Sequence, residues 1–389
     1  MKFNFNIKEF LISTLISTGL IAGGFALGYY AHANTHPPEL ELPLLSQAKV
    51  ILENHALYDL PDARALEYGM IRGMLDAYGD PHTYFVEPVE HELQYDSLEG
   101  SYGGIGSSIQ RDGDNFFVLY PFQDSPAQQA GIMDGDRLVK VDDLIITADM
   151  DVHAIASAIR GPEGEKVAVT VARAPDFEEF EFNIKRQSFN LPSVTWHAAA
   201  ENSRLGVIEV NLIGANTPAE IENAFSDLSA KGADHLVLDL RGNGGGYLDS
   251  GIEIARLFLK KGVVIHRQYK GKAVEVIEAQ KDGPLSNIPL VILIDQGTAS
   301  ASEIIAGSLQ SQGRALLIGS DSYGKNSIQL VFDLDDGSSI RVTNAEWWIP
   351  GWDFPKPGQG LYPDFPVDPN DERPNPLIAT ALIIFFEAE

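Results

Sequence analysis

From Pro192 onward, short apolar runs alternate with helical stretches. Leu205 to Val210, His235 to Leu240 and Leu290 to Ile294 are separated by Pro218 to Ala230, Tyr247 to Leu259 and Ser302 to Gln310. This alternation constrains the chain more than any other feature and predicts an α/β domain. Within it, Val291-Ile292-Leu293-Ile294 runs through the small residues Gly297-Thr298-Ala299-Ser300-Ala301-Ser302-Glu303 into the helical Ile304 to Leu309. A small-residue turn from strand to helix can expose a serine hydroxyl beside unpaired backbone N–H groups. The same four residues, Ser300 to Glu303, also fit S-x-x-E, a capping box that needs no chemistry. On this stretch alone both readings stand.

At 389 residues the chain exceeds one ordinary core, and two or three units are expected. A net charge of −27 with no basic stripe excludes a nucleic-acid partner, and the acidic residues read as a solvated surface. Cysteine is absent, which removes disulfides, thiolate nucleophiles and cysteine metal sites. None of the histidines has H-E-x-x-H spacing, so no metal and no cofactor is expected.

Phe10 to Tyr30 is uncharged and about long enough to cross a bilayer. Lys2 and Lys8 precede it and Glu39 and Glu41 follow, so the positive-inside rule exports the body. Ala31-His32-Ala33 has the small residues of a cleavage site, leaving a signal anchor and a signal peptide both open over 1–35. The Gly19/Gly23 and Gly24/Gly28 spacing permits close helix approach and a homo-oligomer. Residues 36–96 read as a helical segment, with two or three short helices between 44 and 78. A β-rich unit at 97–188 follows, with a helix from Val152 to Ile159 and strands at Val167 to Val171 and Phe180 to Ile184. Residues 189–389 carry the chemistry, and Pro376 to Phe386 is a closing helix too short to span a membrane.

Three further segments decide the serine question. Leu238-Asp239-Leu240-Arg241-Gly242-Asn243-Gly244-Gly245-Gly246, Tyr323-Gly324-Lys325-Asn326-Ser327-Ile328-Gln329 and Gly358-Gln359-Gly360-Leu361-Tyr362-Pro363-Asp364 accompany the Gly297 to Glu303 stretch. In that order they resemble the carboxyl-terminal processing (tail-specific) serine peptidases, over about Leu44 to Val367. The resemblance implies a multidomain α/β chain: an N-terminal membrane helix, a helical segment, an inserted PDZ domain and a crotonase-like α/β serine peptidase core. It implies Ser300 as nucleophile, Lys325 as base and Gln329 as the residue that orients the lysine. Gly245 and Ala301 would supply oxyanion-hole N–H groups. The β-rich unit resembles a PDZ domain through Tyr102-Gly103-Gly104-Ile105-Gly106 and the run Ser125 to Leu138. Gly104, Ile105 and Gly106 would then receive the terminal carboxylate of a protein or peptide substrate with an apolar last residue. The chain departs from the family pattern around Trp347, Trp348 and Trp352, and has Gly244 where the family often has proline.

The chemistry agrees with the assignment. A lysine serves as base only when neutral, and desolvation favours that form. Gln329 fixes the amine without adding a charge. Two rivals remain: a non-catalytic PDZ adaptor on a degenerate peptidase scaffold, and a nucleotide enzyme using the near P-loop Gly319 to Lys325. The second is disfavoured, because Asn326 stands where Mg²⁺ needs a hydroxyl and a β-prone run follows instead of a helix.

Overall fold

The computed structural model describes residues 42–351, 358–368 and 373–387. The expected membrane segment, with its cleavage site and glycine pairs, lies outside these residues, as does Trp352. No helix among the described residues is long and apolar enough to cross a bilayer. Two N-terminal helices are present, α1 (Pro43–His55) and α2 (Ala63–Tyr78). The division between two compact units falls inside α2, after Met70.

In the second unit, after strand Tyr84–Val86, comes helix α3 (Pro88–Glu99), started by a proline in its first turn and stopped by Gly100 in the left-handed region. A β-rich body follows, whose sheet order is Ser107–Arg111, Phe117–Pro121, Asp136–Val141, Lys166–Arg173, Glu178–Lys185. Lys166–Arg173 alternates in burial, with Val167, Val169 and Val171 pointing inward beside Phe117, Leu119 and Ile155. Two helices complete it, α4 (Pro126–Ala130), capped by the Ser125 hydroxyl, and α5 (Val152–Ile159). A separate two-stranded ribbon pairs Ser101–Gly104 with Gln187–Asn190 and closes the base of this body.

The remaining chain forms two sheets. In the first, Leu205–Val210, His235–Asp239, Leu290–Ile294 and Leu316–Gly319 lie side by side in parallel, with Val194–Ala198 antiparallel at one edge. Every residue of Leu290–Ile294 is buried, because the strand alternates between two cores. Leu290, Ile292 and Ile294 face helices α6 (Thr217–Ala230), α7 (Leu248–Phe258) and α8 (Ala301–Ser311). Val291 and Leu293 face the C-terminal helix α9 (Pro376–Leu382) through Ile378 and Ala381. Truncating such a side chain to alanine costs about 2–5 kcal/mol.

The second sheet is antiparallel and built around the ten-residue strand Ser339–Trp348, which pairs with Tyr84–Val86, Gly262–Tyr269 and Ser327–Asp333. Ser327–Asp333 starts just past Lys325 and Asn326, so the near P-loop leads into a strand and lacks the helix a nucleotide needs. Trp347, where the chain departs from the family pattern, is 1% exposed and belongs to the core.

Candidate active site

Two chain reversals meet between the sheets. The first takes the chain from strand Leu290–Ile294 into α8, with Ser300 as the N-cap. Ser300 has φ 55° and ψ −117°, a conformation that a side chain makes costly. The turn is held by Thr298, whose Oγ1 donates to the Leu240 carbonyl at 2.8 Å, and by Ser302, fully buried, whose Oγ donates to Asn243 Oδ1 at 2.8 Å. Ser302 is thus spent on structure, while Ser300 remains partly exposed. The S-x-x-E capping box is present, with Glu303 Oε2 accepting the Ser300 N–H at 2.8 Å.

The second reversal carries Lys325. Gly324 has φ 87°, and a Cβ there would meet the Gln359 N at 2.6 Å; one on Gly360 would meet the Ser322 carbonyl at 2.0 Å. Both positions therefore require glycine, and they press the Gly358 to Asp364 segment against the lysine loop. Leu361 and Ser322 exchange hydrogen bonds across this contact.

Glu303 joins the two reversals. Its carboxylate is fully buried and accepts from the Ser300 N–H, the Lys325 N–H at 2.9 Å, the Gly324 N–H at 2.7 Å and the Ser322 hydroxyl at 2.6 Å. Burial pushes its pKa up, and the four donors oppose that shift. One carboxylate thus sets the serine and the lysine in a common frame. Sequence reading found only the capping half of this role, because the partners at 322–325 are adjacent in space and not along the chain.

Lys325 Nζ donates to Gln329 Oε1 at 2.8 Å, and Gln329 Nε2 donates to Ser327 Oγ at 3.1 Å. A bulge between Ile328 and Gln329 lets the glutamine reach the lysine, which lies in the loop before the strand; simple face-sharing at i, i+4 does not explain the pair. Burial, then the nearby Arg341 charge, pulls the Lys325 pKa below the ordinary lysine value, against the attraction of Asp80 and Glu303.

The glycine loop after His235–Asp239 lies beside the serine. The Asp239 carboxylate grips the Arg241 guanidinium at the loop's start. Gly245 has φ 103°, and a Cβ on it would meet Ser300 Cβ at 3.0 Å and the Ala301 N at 3.1 Å. Only a glycine permits this close approach. Its N–H, however, already donates to Asn243 Oδ1 at 2.9 Å, so its use as an oxyanion donor requires Asn243 to release it. Ala301 N–H belongs to the first turn of α8, where backbone donors lack intrahelical acceptors.

In the β-rich body, Gly104, Ile105 and Gly106 are all buried. A Cβ on Gly106 would lie 2.6 Å from the Phe189 ring and 2.7 Å from Ser125 Cβ. Phe189 stacks on Tyr102 with ring centroids 5.5 Å apart and closes over the loop. No group of acidic residues and histidines suited to a metal occurs among the described residues.

Residues 204–367 match the Peptidase family S41 pattern and residues 118–173 the PDZ domain pattern. The chain is 31% identical over 291 residues to the carboxy-terminal processing protease CtpA of Bacillus subtilis, covering 75% of this chain and 61% of that protein. It is 30% identical over 365 residues to a probable CtpA-like serine protease of Staphylococcus aureus strain N315, covering 92% of this chain and 72% of that one. Among solved structures, the photosystem II D1 C-terminal processing protease aligns at a TM-score of 0.46 with 30% identity, covering 85% of this chain and 88% of that one. With the Staphylococcus aureus relative 30% identical and matched over 72% of its length, the chain belongs to peptidase family S41, the carboxy-terminal processing serine proteases, and carries a PDZ domain.

Proposed function

We propose that the protein is a serine endopeptidase that cleaves protein substrates through a Ser300–Lys325 dyad after its PDZ domain has engaged their C-terminal tails. The observation that supports this reading is the Glu303 carboxylate, which accepts the backbone N–H of both Ser300 and Lys325 and so ties the two backbones to one frame. Neutral Lys325 takes the proton from Ser300 Oγ, and the oxygen attacks the scissile carbonyl carbon. Negative charge on the carbonyl oxygen is met by the Ala301 N–H at the positive end of α8, and by Gly245 once Asn243 releases it. The lysine then passes its proton to the leaving amine, and the C–N bond breaks to leave an acyl-serine. Water, deprotonated by the same lysine, hydrolyses that ester and restores Ser300. Gln329 holds the amine without adding a charge.

The apolar run Phe10 to Tyr30 supports an exported body, anchored at the membrane or released from it. Tail recognition involves opening the Gly104 to Gly106 loop, from which Phe189 must swing away. In the full-length Ser300→Ala protein, calorimetry with an apolar-ended peptide should show roughly tenfold weaker binding for the amidated than for the free-carboxylate form.

The decisive experiment compares Ser300→Ala with Ser302→Ala on a quenched-fluorescence peptide. Cleavage is lost in the first and largely kept in the second, whose hydroxyl serves Asn243. Equal behaviour of the two variants would refute the nucleophile assignment. The adaptor reading would instead be favoured by tail binding without cleavage in the unmodified protein.

A further inference from the structure

Helix α3 lies outside all four segments that define the site, yet its C-terminal end is built into it. Leu98 O accepts the Ala215 N–H at 2.8 Å, and Asn216 Nδ2 donates to Glu99 O at 3.1 Å. A Cβ on Gly214 would lie 2.5 Å from Leu98 O, so the two backbones are in close contact. Next to this clamp, Ile213 forms a parallel bridge with Gly246: its N–H donates to Gly245 O at 3.1 Å, and its carbonyl accepts the Tyr247 N–H at 2.8 Å. The loop against Ser300 is therefore anchored at its C-terminal side by Tyr247, and Tyr247 Oη donates to Glu99 Oε1 at 2.8 Å.

Glu99 is the last residue of α3, where the helix dipole disfavours a carboxylate, so helix stability alone does not account for it. Burial, then the Glu99 hydrogen bond, holds the Tyr247 pKa well above its ordinary value, and the phenol stays a donor. The same helix also reaches the base side of the site, where Arg341 Nη2 donates to Gln94 Oε1.

We infer that Glu99 and Tyr247 form a positioning pair, in which α3 holds the Gly244–Gly246 loop at the distance from Ser300 that the oxyanion requires. This rests on the function proposed above and assigns it two residues that touch neither substrate nor nucleophile. Glu99→Gln keeps an acceptor oxygen; Glu99→Ala and Tyr247→Phe remove the bond from either side.

The test measures steady-state cleavage of the quenched peptide by the full chain, with Ser300→Ala alongside. Tyr247→Phe and Glu99→Ala should each lower kcat roughly tenfold with KM within about twofold, and the double variant should lose no more than either. Glu99→Gln should restore most of the rate, which a packing defect would not allow. Hydrogen exchange supplies a readout without catalysis: in a Ser300→Ala background, Tyr247→Phe should speed exchange at the Ile213 and Tyr247 amides about tenfold. Unchanged kcat and unchanged exchange in Tyr247→Phe, with Ser300→Ala inactive, would overturn the pair alone. Full cleavage by Ser300→Ala would overturn the function on which it rests.

Discussion

The backbone at Ser300 gives a stability difference that can be worked out before any activity is measured. At φ 55°, ψ −117° a Cβ is strained, and such residues carry about 1–3 kcal/mol. Alanine at 300 keeps the Cβ and its strain; glycine removes it. Glycine adds a backbone-entropy penalty of about 0.5–1 kcal/mol, and both variants lose the hydroxyl and its cap alike. Taking the middle of both ranges, subtracting the penalty leaves Ser300→Gly more stable than Ser300→Ala by about 1 kcal/mol. Two inactive enzymes should thus differ in urea midpoint, glycine the higher, at a common denaturant slope. An alanine variant as stable as the glycine variant would show that the turn stores no strain at Ser300.

Lys325→Arg should be inactive at every pH, since a guanidinium does not lose its proton; a retained rate would exclude the lysine as base. For the unmodified enzyme, kcat/KM should rise with pH and level off below the ordinary lysine pKa of about 10.4, because burial lowers the value in the fold. A flat profile would contradict a neutral base. The same shift has a stability sign: between the lowered folded pKa and the unfolded one, the unfolded chain holds more protons, so this group's contribution improves as pH rises. Lys325→Met should therefore stabilise at neutral pH, with the gain shrinking toward pH ~10 in thermal melts; a gain that grew with pH would reverse the assignment. Glu303→Gln replaces one carboxylate oxygen by NH₂, orphaning two buried donors at about 1–3 kcal/mol each. It should cost about 2–6 kcal/mol of stability as well as activity, and a melt matching the unmodified protein would disprove the four-donor arrangement.

Local patterns along the chain were legible where periodicity and burial agree. The strands Leu205–Val210 and Leu290–Ile294 and the helix Val152–Ile159 lie where their apolar patterns place them. Ser339–Trp348, the central strand of the second sheet, escaped notice because Arg341, Asn344 and Glu346 interrupt its apolar pattern. Its order is supplied by three partner strands. Serine and lysine were recognisable as motifs, but their frame was not: Asn243, Glu303 and Tyr247 act through residues 20 to 150 positions away. The burial of Gly104 to Gly106 was likewise invisible, since Phe189 arrives from the far end of the PDZ body. A glycine-rich loop announces close backbone approach, not what approaches it.

The four hydrogen bonds to Glu303 also govern how the molecule comes apart. The carboxylate cannot be buried until 300–303 and 322–325 have met, because either segment alone leaves it short of donors in an apolar setting. The segments therefore close and open as one cooperative unit, and exchange of the Ser300, Gly324 and Lys325 amides should report a single opening event. A nascent or partly unfolded chain then has neither an aligned serine nor a desolvated lysine. Under the proposed Ser300–Lys325 dyad, cleavage should therefore be gained in one step, when this joint closes.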